Sequence, residues 1–235
     1  MKHLVLLHGW AMHSQMWGNF AEQLSQHCRV TLIDLPLRDN LDSIADAIVA
    51  GLDDEPFYLL GWSFGGTVAL KMAERYANRV QGLILLASNP CFAEAESWAG
   101  TPVETLNAFA QQFHDNPAAT LQRFLTLQVQ DSPKFLKEVK ARFAMKPTPK
   151  LAALETSFVL LQNSDLRSVL QNLTCPVAAI LSDNDAFVPI AVSEPLQALK
   201  SDLNITILNN AGHIPFVTQP ENCLNAIHAF FDGIR

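Results

Sequence analysis

The chain has 235 residues, 49% of them hydrophobic and 17% charged, with a formal net charge of −7. Those totals exclude a disordered polymer, argue against a general nucleic-acid binder, and fit one large α/β domain better than two generous ones. There is no run of eighteen apolar residues and no signal-peptide cleavage pattern after "MKHLVLLHGWAM", so a cytoplasmic protein without a membrane span is expected.

In chain order, "HLVLL" (3–7) reads as a buried strand, and "QMWGNFAEQL" (15–24) as a helix on the spacing of Trp17, Phe20 and Leu24. "RVTLIDL" (29–35) is the next strand. In "LDSIADAIVAGL" the apolar positions Leu41, Ile44, Ala45, Ile48, Val49 and Leu52 fall on one helical stripe. "FYLLGW" (57–62) is a strand that runs directly into Ser63, followed by the helix "GGTVALKMAERYA" and the strand "VQGLILLAS" (80–88). From about Asn89 to Arg167 only helical patterns occur, carrying Phe109, Phe113, Phe124, Phe135, Phe143 and Phe158. Alternation resumes with the strand "CPVAAILS" (175–182), a helix near 190–199, the strand "ITILNN" (205–210) and a closing helix "ENCLNAIHAFF". Strands alternating with helices predict a mostly parallel sheet covered on both faces. The predicted division is a core of residues 1–89 and 168–235 with a helical cap, 90–167, inserted into it.

The chemistry centres on "LGWSFGGT", in which Gly61, Gly65 and Gly66 surround Ser63 at the end of a strand. A sharp strand-to-helix turn needs residues without Cβ two before and two after the exposed serine. A serine hydroxyl needs a base, and His213 in "NNAGHIPF" follows the last strand, where a loop returns it to the same sheet edge. Gly212 is expected to let that loop turn, and Pro215 to prevent the next helix from starting early. An orienting carboxylate is offered by Asp183 or Asp185 in "SDNDAFVP". The amides of Phe64 and Trp10 are candidate oxyanion donors. His8 reads as a brace for the Trp10 loop. Cys28, Cys91, Cys175 and Cys223 have no metal-ligand or C-x-x-C spacing, so reduced thiols are expected, with no metal and no cofactor.

"LVLLHGW", "GWSFGG", "DNDAFVP" and "AGHIPF", in this order, resemble the α/β-hydrolase superfamily. "ASNPCFAEAESWAG", "RFLTLQ" and "SDLRSVLQNLTCP" are similar to the BioH-type esterases, which cleave the methyl ester of pimeloyl-[acyl-carrier protein] in biotin synthesis. The resemblance implies Ser63 as nucleophile, His213 as base, and Asp185 as acid, since that family places its acid three residues before the valine matching Val188. It also implies that Trp10 and Phe64 bind the ester, and that Phe124, Leu125, Thr126, Leu127 and Gln128 line the acyl chain. The implied partner is an acidic acyl-carrier protein docked by a monomeric enzyme. Residues 134–150 carry a net charge of +5, so Lys137 and Lys140, with Arg123, are candidate docking residues. Two departures stand out. Similar hydrolases have one or two earlier strands, which implies a sheet trimmed at one edge, and "DLPLRDN" replaces a glycine-rich loop at the entrance. Competing readings are a broad short-chain carboxylesterase, a thioesterase, a carbon–carbon bond hydrolase, or a catalytically idle small-ligand receptor. Dehalogenases and epoxide hydrolases carry aspartate at the position of Ser63.

Overall fold

The computed structural model describes residues 1–130 and 132–234. Six strands form one sheet: β1 (His3–Leu7), β2 (Arg29–Ile33), β3 (Phe57–Trp62), β4 (Val80–Leu86), β5 (Val177–Ser182) and β6 (Asn204–Leu208). All pairings are parallel, in the order β2-β1-β3-β4-β5-β6. The interior strands β1 and β5 are buried at every position, whereas the edge strands β2 and β6 are mostly half-exposed. Burial on both faces explains why the interior strands read as unbroken apolar runs.

The helices of the core are α1 (Asn19–Ser25), α2 (Leu41–Val49) and α3 (Phe64–Arg75). Between β4 and β5 come α4 (Val103–Asp115), α5 (Pro117–Gln128), α6 (Leu136–Phe143), α7 (Leu151–Asn163) and α8 (Arg167–Asn172). After β5 follow α9 (Ser193–Leu199), α10 (Pro215–Thr218) and α11 (Pro220–Gly233). Of the stripe expected for α2, Leu41, Ile44, Ala45, Ile48 and Val49 are buried, whereas Leu52 lies past the end of the helix and is half-buried; Asn40 caps the helix by accepting the Ser43 N–H at 2.8 Å. The single helix expected over 15–24 is instead a 3₁₀ turn, Ser14–Trp17, followed by α1. Gly18 between them sits at φ +47°, a left-handed conformation that interrupts the helical ladder. No helix among the described residues is long and apolar enough to cross a membrane.

The strand order places β2 and β3 on opposite sides of β1, so the chain changes direction across the sheet there. In open parallel sheets such a switch point leaves a crevice beyond the C-terminal strand ends. The loops after β1 and β3 carry Trp10 and Ser63, and both open into that crevice.

Candidate active site

Ser63 has φ 55° and ψ −123°, a strained backbone outside the ordinary regions for a residue with a side chain. Strain of this type costs about 1–3 kcal/mol and persists only when its surroundings enforce it. The enforcement is visible in the glycines. A Cβ on Gly65 would lie 2.2 Å from the Leu7 carbonyl oxygen, and one on Gly61 would lie 2.4 Å from the Gly65 oxygen. The elbow therefore closes against β1 and against the first turn of α3. The Ser88 hydroxyl, at the end of β4, donates to the Ser63 carbonyl at 2.8 Å and fixes the turn from a third side. Ser88 had no visible signal in the sequence beyond its place at a strand end.

Opposite the elbow, His213 is only 1% exposed. Its Nδ1–H donates to both oxygens of Asp185, at 2.9 and 2.8 Å, and the Asp185 side chain is wholly inaccessible to solvent. The carboxylate is itself held, because its Oδ1 accepts the backbone N–H groups of Phe187 and Val188 at 2.8 and 3.1 Å. With its proton committed to Nδ1, the neutral imidazole keeps a lone pair on Nε2. Asp183 does something different: it sits exposed in the same loop and accepts the Ala211 N–H at 3.3 Å. That contact stitches the loop after β5 to the loop after β6.

The histidine loop differs from the expected local geometry. Its left-handed residue is Asn210 at φ 54°, not Gly212, since an asparagine side chain tolerates that region. Pro215, by contrast, acts as expected: α10 starts at it and no earlier, with Ile214 before it outside the helical region, because the first helical position has no use for the missing N–H. Two aromatic residues also hold His213 in place. Trp62 Nε1–H donates to the His213 carbonyl at 2.8 Å, and the Phe187 ring meets the imidazole edge-on at 4.7 Å.

Ser63 and His213 line one cavity of about 420 Å³. Its walls are mainly apolar, with Trp10, Phe109, Phe158 and Phe187 prominent, and its polar lining includes Glu104, Gln112 and Arg123. Trp10 is clamped edge-on by Phe109, Phe113, Phe124 and Phe158 at 5.1–5.5 Å, while its Nε1–H donates to the Leu154 carbonyl at 2.9 Å. Aromatic pairs of this geometry contribute about 0.5–1.5 kcal/mol each beyond area burial, so Trp10 is one of the contacts that tie the helices between β4 and β5 to the loop after β1.

Of the segment Phe124 to Gln128, Phe124 and Leu127 line this cavity, whereas Leu125, Thr126 and Gln128 do not. The segment is helical, and the cavity sees one face of α5, namely Thr120, Arg123, Phe124 and Leu127. Leu125 and Gln128 are buried elsewhere, and the Thr126 hydroxyl donates to the Gln122 carbonyl on the exposed side.

The two candidate oxyanion donors are placed by different means. Phe64 is the first residue of α3, and an amide there has no intrahelical partner. The loop bearing Trp10 runs beside the serine, since a Cβ on Gly9 would come within 3.3 Å of Ser63 Cβ. His8 fixes that loop. Its Nδ1–H donates to the Gly9 carbonyl at 2.8 Å, and its Nε2 accepts the Leu35 N–H at 2.9 Å. Burial lowers its pKa to about 4, so the ring is neutral near neutral pH, as accepting that N–H requires. No cluster of metal-ligating side chains occurs among the described residues, and all four cysteines are free.

A family model described as "Alpha/beta hydrolase family" matches residues 4–226. The chain belongs to the alpha/beta hydrolase family. Among its relatives, a protein of Proteus mirabilis named pimeloyl-[acyl-carrier protein] methyl ester esterase is 36% identical over 230 residues, covering 93% of this chain and 88% of its own. The protein of that name from Methylococcus capsulatus is 35% identical, with 97% and 93% covered. Among solved structures of this hydrolase fold, an esterase from Exiguobacterium antarcticum superposes with a TM-score of 0.88 at 19% identity, covering 99% and 92% of the two chains. A bromoperoxidase from Bacillus anthracis gives 0.86 at 18%, covering 98% and 92%. Two differently named activities on one fold place the burden of function on the side chains in the cleft.

Proposed function

We propose that this chain is a cytoplasmic serine carboxylesterase that hydrolyses the methyl ester of pimeloyl-[acyl-carrier protein] in biotin synthesis. Ser63, His213 and Asp185 act together, and residues 90–167 form a cap over them. The observation that carries this reading is the buried Asp185–His213 pair, whose histidine lines the same mainly apolar cavity as a serine on a strained elbow. Similarity to esterases of that name over nearly the whole chain supports the substrate.

In the first half-reaction Ser63 Oγ attacks the ester carbonyl carbon and its proton passes to His213 Nε2. The developing oxyanion takes hydrogen bonds from the Phe64 and Trp10 amides, each such donor being worth about 3–4 kcal/mol of transition-state stabilisation. Collapse breaks the bond to the methoxy oxygen, which leaves as methanol with the proton held by His213. Water then adds to the acyl-serine, giving its proton to His213. A second collapse returns that proton to Ser63 and releases the acid, which ionises. Throughout, Asp185 stabilises the imidazolium and fixes the ring. The apolar cavity takes the acyl chain, with Phe124 and Leu127 against it.

The carrier protein approaches the cap. Six basic side chains lie between 134 and 150, but two are already engaged. Arg142 donates to the Met16 carbonyl at 2.7 Å and pairs with Glu138, and Lys146 pairs with Asp34. Lys137 and Lys140 stay exposed on α6, which packs on α5, the helix that presents Arg123 to the cavity. Steering by such charges raises the association rate and fades with salt. Steady-state assays of the Lys137→Glu/Lys140→Glu double variant check this. Its kcat/KM for the carrier-bound methyl ester is expected to fall on the order of ten-fold at low ionic strength, with the gap closing at high salt. Hydrolysis of p-nitrophenyl acetate is expected to be unaffected. Equal loss on both substrates would remove the docking site, and no turnover of the carrier-bound ester by the unmodified protein would remove the proposed substrate.

A further inference from the structure

Trp62 is the last residue of β3 and directly precedes Ser63. Its side chain is wholly buried and forms no part of the wall of the cavity that Ser63 lines. It nevertheless meets the site on three sides. Its covalent neighbour is the serine. Its Nε1–H donates to the His213 carbonyl at 2.8 Å. The six-membered part of the indole lies against the loop that carries Trp10, since a Cβ on Gly9 would come 3.4 Å from both Cδ2 and Cε3.

The bond to His213 has no substitute. Among the described residues it is the only hydrogen bond made by the backbone of Gly212 or His213. The next anchors are the Ala211 carbonyl, which accepts the Asn184 N–H at 3.0 Å, and the Ile214 carbonyl, which accepts from Val217 and Thr218. Asp185 and Phe187 grip the imidazole itself, so they orient the ring, while the indole N–H fixes the backbone from which it hangs. The indole is held from behind as well. Phe216 meets it edge-on at 4.9 Å, and Trp17 packs on both rings at 6.1 and 4.5 Å. A side chain enclosed in this way has no room to follow a moving loop.

We propose that Trp62 is a positioning residue for ester hydrolysis, setting the spacing between nucleophile, base and oxyanion loop. This rests on the esterase reading of the cavity. Ser63, His213 and Trp10 come from loops after three different strands, β3, β6 and β1, and Trp62 is a reference common to all three. Proton transfer from Ser63 Oγ to His213 Nε2 requires a separation of about 2.6–3.2 Å, and a misplacement of about 1 Å costs on the order of 10²-fold in rate. Because Trp62 stands outside the cavity wall, losing its N–H disturbs this spacing and leaves the surface that holds the ester in place.

Two replacements separate the hydrogen bond from the packing. Trp62→Phe removes the N–H and part of the ring. Benzothienylalanine at the same position keeps the bicyclic shape and carries sulfur in place of the N–H, so it tests the bond even if the smaller ring fails to fold. Both are expected to lower kcat for p-nitrophenyl butyrate by about 10²-fold. A second readout compares two inhibitors with the same alkyl chain. Ser63 Oγ adds to a trifluoromethyl ketone, its proton passing to His213, whereas the corresponding trifluoromethyl alcohol only occupies the cavity. Ki for the ketone, which mimics the transition state, is expected to rise in step with the loss in kcat, and Ki for the alcohol to stay that of the unmodified protein. A benzothienylalanine variant with full kcat would overturn the proposal. So would lost kcat with both Ki values unchanged, which is the mark of a smaller folded fraction, or a rise in both, which is the mark of a reshaped cavity. Any of these sinks the role of Trp62 alone, whereas an unmodified protein that hydrolyses no ester sinks the esterase reading with it.

Discussion

Ser63→Ala is expected to lower kcat for ester hydrolysis by roughly 10⁵-fold or more while leaving the unfolding temperature nearly unchanged. Removing a nucleophile from a serine–histidine unit costs about that much, because the remaining groups have nothing to act on. The stability expectation follows from the contacts. The elbow is held by the Ser63 backbone, whose N–H donates to the Leu86 carbonyl at 3.0 Å and whose carbonyl accepts from Ser88. Alanine keeps both bonds and the same backbone strain. Paired measurements of p-nitrophenyl acetate turnover and thermal unfolding check this. An active alanine variant would remove Ser63 from the chemistry, and a collapsed one would show that the hydroxyl is structural.

Asp185→Asn is expected to cost about 10⁴-fold in kcat, or roughly 5.5 kcal/mol of barrier. Asparagine still offers a carbonyl oxygen to the Phe187 and Val188 amides, so the loop keeps its shape. Its NH₂ then faces His213 Nδ1 and, as a donor, requires that nitrogen to be the unprotonated one. The proton moves to Nε2, where the lone pair for Ser63 is needed. Kinetics with an NMR determination of the imidazole tautomer tests both halves. Full activity, or an unchanged tautomer with lost activity, would contradict the role given to Asp185.

The interior strands were legible because buried parallel strands leave continuous apolar runs, and the half-exposed edge strands β2 and β6 were legible from their β-branched residues (Val30, Thr31 and Ile33; Ile205, Thr206 and Ile207). The elbow was legible because close backbone approach demands glycine, and three glycines clustered where the chain contains only ten. What stayed hidden depends on contacts far apart in sequence. Ser88, Trp62 and Phe187 brace the site through single bonds or ring contacts that no local pattern encodes. The stretch 124–128 read as one lining segment because its helical phase relative to the cavity is set by packing on Trp10, a residue more than a hundred positions away. The positive run 134–150 counted Arg142 and Lys146 as free charges, although Met16 and Asp34, distant in sequence, engage them. Gly18 was visible, but its left-handed backbone was not, so two short elements were read as one helix.

The most direct measurement is to mix the protein with carrier-bound pimeloyl methyl ester, quench in acid within the first turnovers, and locate the acyl group by peptide mass spectrometry. Attachment through Ser63, accompanied by methanol release and followed by loss of the adduct as the free acid appears, is the predicted result. A product that forms with Ser63 never acylated, or a protein that holds the ester without releasing methanol, would contradict the account.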